Sequence, residues 1–235
     1  MTNLRQQALD SIRQANHLVF LTGAGVSTPS GVPDYRSLSG VYTKTGMAQP
    51  EYLLSHTCFL REQDLFYQFV KQLYHPQARP NSVHLKMAQL EKEKPDTWVI
   101  SQNIDQLHRK AGSQQVVDFH GSLYDVYCSK CYQQVDAWTY LEDNQHAGCG
   151  GILRPNIVLY EEGLEEMAIY QSQQVLKAAD VIVIAGTSFK VSPFCQLIYY
   201  KSPDSQVIVV NQDDVYLSVP YTMIQEDVVS FFKDI

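Results

Sequence analysis

Four residues in the middle of the chain carry the sharpest chemical signal. Cys128 and Cys131 are separated by two residues, and after fourteen more His146 and Cys149 repeat that spacing. Two thiolates at this spacing grip one tetrahedral ion. A second pair completes four ligands, and His is an accepted fourth beside three Cys. The pattern predicts one structural Zn2+ held by Cys128, Cys131, His146 and Cys149, with no open position for substrate. Cys58 and Cys195 have no partner at ligand spacing and are expected to be buried thiols. Five Cys is an odd count, and the N-terminal stretch MTNLRQQALDSIRQA is polar with a helical pattern. Both features predict a reducing compartment and a cytoplasmic location.

A second group of polar residues recurs directly after apolar runs. Leu18–Leu21 leads into Gly23, Ala24 and Gly25. A glycine-rich turn after a buried strand lets backbone N–H groups approach a phosphate. Gly23-x-Gly25 begins a dinucleotide fingerprint, although Thr28 stands where the third glycine would be. Arg36 follows a turn signal and suits a phosphate or carboxylate partner. After Trp98–Ile100 comes Ser101-Gln102-Asn103-Ile104-Asp105-Gln106-Leu107-His108, which puts amides and a carboxylate at a strand end. His120 follows Val116–Phe119, and an imidazole of ordinary pKa about 6.5 suits a general base near neutrality. Gly186, Thr187 and Ser188 follow the fourth run, Val181–Ile184. Asn211, Gln212 and Asp213 follow the fifth, Val207–Val210. Ribose hydroxyls and phosphates need small or hydrogen-bonding residues of this kind.

The five runs are apolar at nearly every residue, as in parallel strands covered on both faces. Helical patterns lie between them: Leu4, Ala8, Ile12 and Ala15; Val83, Leu85, Met87, Ala88 and Leu90; and a segment around Glu165–Ala179. Alternating strands and helices predict an α/β fold built on a doubly wound parallel sheet. Two stretches break the rhythm. Residues 37–80 carry no obvious sheet strand and predict a helical insertion. Residues 122–154 hold three of the Cys and are too poor in aliphatics to form a core of their own, so a staple is required. The 235 residues allow one domain with a small insertion. Hydrophobic residues at 45% and charged residues at 18% exclude a disordered or low-complexity chain. A formal net charge of −7 argues against direct nucleic-acid binding. The apolar runs are too short to span a membrane.

Taken together, GAGVSTPSGVPDYRS, SQNIDQLHRKAGS, DFHGSLYDVYC, CGGILRPNIVLYEE, AGTSFKVSP, VNQDD and EDVVSFF resemble the sirtuin family of NAD-dependent protein deacylases. The stretches occur in family order over nearly the whole chain, and the short ends resemble the compact bacterial or archaeal type. The resemblance implies a Rossmann-type NAD-binding domain from residues 1–36, 81–121 and 155–235, a helical insertion at 37–80 and a zinc-binding module at 122–154. It implies NAD+ as co-substrate, an acyl-lysine protein or peptide as partner, and a monomer. By position, Gly23, Ala24, Gly25, Thr28, Tyr35 and Arg36 would line the phosphate and nicotinamide-side pocket. Gln102 and Asn103 would contact the ribose, and Ile104 and Asp105 would hold the nicotinamide carboxamide. His120 would be the general base, with Asn103 the second catalytic residue. Gly186, Thr187, Ser188, Asn211 and Gln212 would bind the adenosine half, with Asp227 and Val228 beside the adenine. Ile157, Val158, Leu159, Tyr160 and Val191 would contact the acyl-lysine substrate.

The activity implied is transfer of the acyl group to ADP-ribose, with release of nicotinamide and free lysine and no role for zinc in the chemistry. Mono-ADP-ribosyl transfer is the rival reading, and a non-catalytic NAD-binding module and a Rossmann dehydrogenase are weaker ones. Retention of His120 favours deacylation, because that base is needed after nicotinamide has left. Three positions depart from the family pattern. Tyr35 replaces Phe, His146 replaces a zinc Cys, and Glu161 replaces the Gly of a Phe-Gly-Glu run that lies close to bound peptide. A fourth comparison bears on acyl choice. Relatives that take succinyl or malonyl lysine resemble one another in a Tyr-x-x-Arg pair. Tyr67 matches the Tyr and Val70 stands at the Arg position, so a tunnel for neutral acyl groups is expected.

Overall fold

The computed structural model describes residues 2–34 and 50–235. Nine strands lie among the described residues: β1 (Leu18–Thr22), β2 (Thr97–Ser101), β3 (Val116–Asp118), β4 (Gly121–Cys128), β5 (Gln134–Val135), β6 (Leu153–Ile157), β7 (Val181–Ala185), β8 (Gln206–Asn211) and β9 (Thr222–Gln225). The helices are α1 (Thr2–Gln14), α2 (Pro50–Leu53), α3 (His56–Arg61), α4 (Gln63–Gln72), α5 (Ser82–Glu93), α6 (Leu107–Lys110), α7 (Ala137–Glu142), α8 (Glu166–Ala178) and α9 (Val228–Phe232).

Six strands form one sheet in the order β3-β2-β1-β7-β8-β9, and every pairing within it is parallel. Leu18 is in register with Thr97 on one side and with Val181 on the other. The side chains of β1 and β7 are buried at every position, which accounts for their continuous apolar sequence. Alternate residues feed two separate cores. Leu18, Phe20, Val183 and Val210 pack with Leu9, Ile12, Met87 and Phe232. Val19, Leu21, Ile184 and Val209 pack with Leu176, Phe194 and Leu197. Helices therefore cover both faces, and the fold is the doubly wound α/β type the sequence predicts.

The five apolar runs are all strands of this sheet. Its sixth strand, β9, is a short edge strand whose residues are mostly half-buried or exposed, and its sequence carries no apolar run. Two residues of the helical patterns, Leu4 and Leu85, stay exposed. In α5 the inner position next to Leu85 is taken by His84, whose side chain completes a capping box with Asn81.

The small sheet is antiparallel, in the order β5-β4-β6. It does not rely on a staple alone. Leu123, Val126, Tyr140, Leu153 and Ile157 share one core with Leu53, Phe59, Phe66, Phe69 and Val70 of α2, α3 and α4. The segment too poor in aliphatics for a core of its own borrows one from the helical segment. The expected helical insertion is helical over 50–72, and residues 37–49 lie outside the described residues.

Gly121, where the chain enters β4, has φ +74, and a Cβ there would lie 2.0 Å from the Asn156 carbonyl oxygen. Gly121→Ala should therefore lose about 1–3 kcal/mol from backbone strain alone, before the clash with β6. Urea unfolding would read this as a lower midpoint with an unchanged slope.

Candidate active site

Six parallel strands deliver their carboxyl ends to one edge, and the strand order reverses between β1 and β7. That reversal is where open α/β sheets form ligand crevices. A cleft of about 740 Å³ lies there, and residues that follow β1, β2, β3, β6, β7 and β8 line it.

The turn after β1 closes tightly on the turn after β7. Gly25 N donates to Gly186 O at 2.8 Å, and a Cβ on Gly25 would lie 2.7 Å from Gly186 Cα. A Cβ on Gly23 would lie 2.6 Å from Thr187 Cβ. Ala24, Gly25 and Thr28 line the cleft. Gly23 sits behind it, with its carbonyl accepting from Asn103 Nδ2 at 3.0 Å. Where a dinucleotide fingerprint runs into a long helix, this chain makes two single 3-10 turns, Ala24–Val26 and Thr28–Ser30. Thr28 is exposed, so the turn does not require a third glycine there. Tyr35 and Arg36 lie outside the described residues.

Gln102, Asn103, Ile104 and Asp105 all line the cleft after β2. Asn103 is held by three hydrogen bonds: its N–H donates to Ser101 Oγ (3.1 Å), and Nδ2 donates to Gly23 O and Ser27 Oγ, both at 3.0 Å. Gln102 Oε1 accepts from Thr187 Oγ1 at 3.2 Å, joining the β2 end to the β7 end. Asp105 is buried and accepts from Leu107 N at 2.8 Å at the start of α6. His108, the last residue of that sequence cluster, does not reach the cleft and is buried beneath it.

His120 lines the cleft after β3. Its Nδ1 lies 3.3 Å from Gln102 O. A carbonyl only accepts, so Nδ1 carries the proton and Nε2 keeps the lone pair. Burial lowers the imidazole pKa below its ordinary value, against a smaller opposing pull from the Gln102 carbonyl.

Ile157, Val158, Leu159 and Tyr160 form the opposite wall. Val158 N donates to His120 O (3.0 Å), and Tyr160 exchanges backbone bonds with Leu54 and His56. Glu161 has φ +75, the left-handed region where the family pattern has glycine. Its carboxylate accepts from Thr57 Oγ1 (2.7 Å) and Thr57 N (2.9 Å), and these bonds hold it below the usual carboxylate range. The larger residue is thus moored to α3. Although burial opposes ionisation, hydrogen bonds from Arg154 and Leu159 N hold Glu162 down to about 2.

Gly186, Thr187, Ser188 and Val191 line the cleft after β7, as do Asn211 and Gln212 after β8, with Asp227 and Val228 beside them. Gln212 Nε2 donates to Asp227 Oδ2 at 3.2 Å, and Asp227 also caps α9 through Ser230 N. Sequence reasoning missed Ser27, which stands inside the quoted glycine run, and Leu54, Leu73 and His75, which enter from the helical segment with no motif to mark them.

Tyr67 and Val70 do not reach the cleft. Both are buried in the core shared with the small sheet, where Tyr67 stacks edge-on against Tyr140 with centroids 5.1 Å apart. Contrary to the expectation from sequence, Val70 at the Arg position packs a core, and this pair does not line the cleft that would take the acyl group.

The four predicted metal ligands gather in a separate place, with their donor atoms all within 4.8 Å of one another. Cys128 Sγ and Cys149 Sγ are 3.5 Å apart, and His146 Nδ1 lies 3.3 Å from Cys131 Sγ and 3.2 Å from Cys149 Sγ. Three thiols and one imidazole at these separations fit a closed tetrahedral zinc site. Gly151 packs against it, where a Cβ would lie 2.5 Å from Cys128 Sγ.

The sheet, its reversal point and the cleft define a Rossmann-like α/β protein of the dinucleotide-binding class, here with a Cys/His metal module. The Sir2 family profile matches residues 23–193, and the chain belongs to that family, the sirtuins. It is 53% identical to an NAD-dependent protein deacetylase of Listeria monocytogenes serotype 4b, over 96% of this chain and 98% of that protein. It is also 53% identical to one of Enterococcus faecalis, over 97% and 95%. A solved Sir2 complex with a peptide and NAD+ superposes with a TM-score of 0.84 at 30% identity, covering 97% of this chain and 95% of that one. Sir2 bound to an acetylated peptide gives 0.83 at 28%, with the same coverage.

Zinc removal tests the metal cluster. Purified protein should carry about one zinc per chain, and a strong chelator should release it. The small sheet keeps its apolar core, so hydrogen exchange should rise first in the 128–151 loops while the six-stranded sheet stays protected. Elemental analysis and exchange read by mass spectrometry check both outcomes.

Proposed function

We infer that this chain is an NAD-dependent protein lysine deacetylase. The co-substrate NAD+ supplies the ADP-ribosyl group that accepts the acyl group, and one water is consumed, giving nicotinamide, 2′-O-acetyl-ADP-ribose and free lysine. One observation supports the site assignment above the others: His120 is a half-buried imidazole lining the cleft, whose Nδ1 proton is committed to Gln102 O, so its lone pair is on Nε2. A general base needs that tautomer.

The remaining roles follow from placement. Ala24 and Thr28 face the phosphates, Gly23 and Gly25 shape the turn beneath them with N–H groups already given to Ala185 O and Gly186 O, and Tyr35 and Arg36 are assigned there by sequence alone. Gln102 and Asn103 meet the nicotinamide ribose, and Ile104 and Asp105 the carboxamide. Asn103 is the second catalytic residue. It holds the ribose hydroxyls in line with His120, which takes the proton that frees the 2′-oxygen. Gly186, Thr187, Ser188, Asn211, Gln212, Asp227 and Val228 hold the adenosine half. Ile157, Val158, Leu159, Tyr160 and Val191 form the mostly apolar wall for the acyl-lysine chain. Cys128, Cys131, His146 and Cys149 hold a structural zinc that takes no part in the chemistry.

The first test incubates the protein with NAD+ and an acetyl-lysine peptide and reads the products by mass spectrometry. Deacetylated peptide with O-acetyl-ADP-ribose is expected, and a mass gain on protein would favour ADP-ribosyl transfer instead. His120→Ala should lower kcat by roughly 10²–10⁴-fold while calorimetry finds NAD+ binding largely intact. The pH profile follows from the tautomer. A base must be unprotonated, so activity falls as pH drops through its pKa. Because burial lowers that pKa, the acid limb of kcat/KM should lie below about 6.5.

A further inference from the structure

Beneath the cleft lie two buried histidines that touch no cleft surface. His84 and His108 are 0% and 3% exposed, and their rings meet edge-on with centroids 4.8 Å apart. Each begins a chain of hydrogen bonds, and both chains end on Asn103. His108 Nε2 lies 3.0 Å from Thr22 Oγ1. Thr22 Oγ1 donates to Ser101 Oγ at 3.0 Å, and Ser101 Oγ accepts from Asn103 N. On the other side, Asn81 N donates to His84 Nδ1 at 3.3 Å. That bond fixes Nδ1 as an acceptor, so the proton sits on Nε2, 3.4 Å from Ser27 Oγ. Ser27 Oγ in turn accepts from Asn103 Nδ2.

The Gly23 carbonyl and the Ser27 end of the second chain settle which way the Asn103 amide faces. Its Nδ2 hydrogens are taken by Gly23 O and Ser27 Oγ. The amide oxygen is then the group offered to the cleft, an acceptor for a substrate hydroxyl. With the backbone N–H pinned through Ser101 as well, the residue is held at both main chain and side chain.

Stability alone does not explain this cluster. His108 Nδ1 is buried and has no hydrogen-bond partner among the described residues, and a buried nitrogen left so is a cost that an apolar side chain would not carry. Burial also keeps both rings neutral, lowering His84 to about 4, with a smaller opposing pull from Asp105, and His108 well below its ordinary value. Two uncharged imidazoles with defined donors and acceptors are what directional bonds to Thr22 and Ser27 require.

We propose that His108, acting through Thr22 and Ser101, is a positioning residue for Asn103, with His84 and Ser27 as the matching arm on the amide side. The proposal rests on the deacetylase reading, and the experiment separates the two. Thr22→Val breaks the chain in its middle without touching the cleft, and His108→Leu removes its origin while keeping apolar bulk. Each should lower kcat for an acetyl-lysine peptide about tenfold, the loss expected for one missing hydrogen bond, with KM for the peptide unchanged. The double variant should be no slower than the slower single variant, because both substitutions cut the same chain. His108→Gln, whose amide N–H can still donate to Thr22, should recover most of the rate. A purely structural role would lower Tm, multiply the losses in the double variant and gain nothing from Gln; that outcome overturns the proposal. So does wild-type kcat in Thr22→Val. An inactive wild-type protein overturns the deacetylase reading and this proposal together, whereas an active one with unaffected variants overturns this proposal alone.

Discussion

The site exists because six parallel strands all end on one edge and the order in which they are laid down reverses beside the first. From β1 the sheet grows outward through β2 and β3 on one side, and through β7, β8 and β9 on the other. The chain segments that leave β1 and β7 must diverge, and a crevice opens between them. Polar residues needed in that crevice cannot come from the middle of the central strands, whose side chains are buried in two apolar cores. They come from the last residue of a strand, as with Asn211, or from the residues just beyond it. The close packing of Gly25 against Gly186 sets how near the two turns can lie, and so where the floor of the cleft sits.

The far wall depends on a different economy. Residues 157–162 leave the small sheet and pass between the base and the helical segment. They are tied to His120 through Val158 N, to Leu54 and His56 through Tyr160, and to Arg154 through Glu162. Arg154 is itself buried, lying over the Phe59 ring at 5.0 Å. The general base and the wall facing it therefore share a backbone bond. A shift in one is carried to the other without passing through the substrate.

Much of this was readable in the residues. The five apolar runs announced the parallel strands because double-sided burial leaves no polar position to confuse the pattern. The clusters Gln102–Asp105, His120 and Gly186–Ser188 stood out because each directly follows such a run. The Cys/His spacing was legible because tetrahedral coordination restricts it. What the sequence hid has physical reasons. The strand β9 lies at an edge and needs no apolar run. The strand β4 pairs with β6 through a register shift between Ser122 and Val126, which breaks any simple alternation. Leu54, Leu73 and His75 reach the cleft from the turns just beyond the helices Pro50–Leu53 and Gln63–Gln72, and Leu54 and Leu73 belong to the shared core as well. Val70 matches a tunnel position by sequence pattern and is a core residue by packing, because a step of one residue turns a helical side chain by about 100° onto another face.

That shared core also orders events as the chain is made. The helices carrying Phe59, Phe66 and Phe69 emerge from the ribosome well before Leu123, Val126, Leu153 and Ile157, which are their cover. Until those arrive, an aromatic face waits in water beside a half-built sheet in which β1 has found β2 but not yet β7. Contacts this distant in sequence form slowly, and the intermediate that precedes them is adhesive. Translation speed through residues 75–160, and any chaperone that shields the face meanwhile, would therefore govern how much of the newly made protein reaches the native state, even though none of those influences touches the finished cleft.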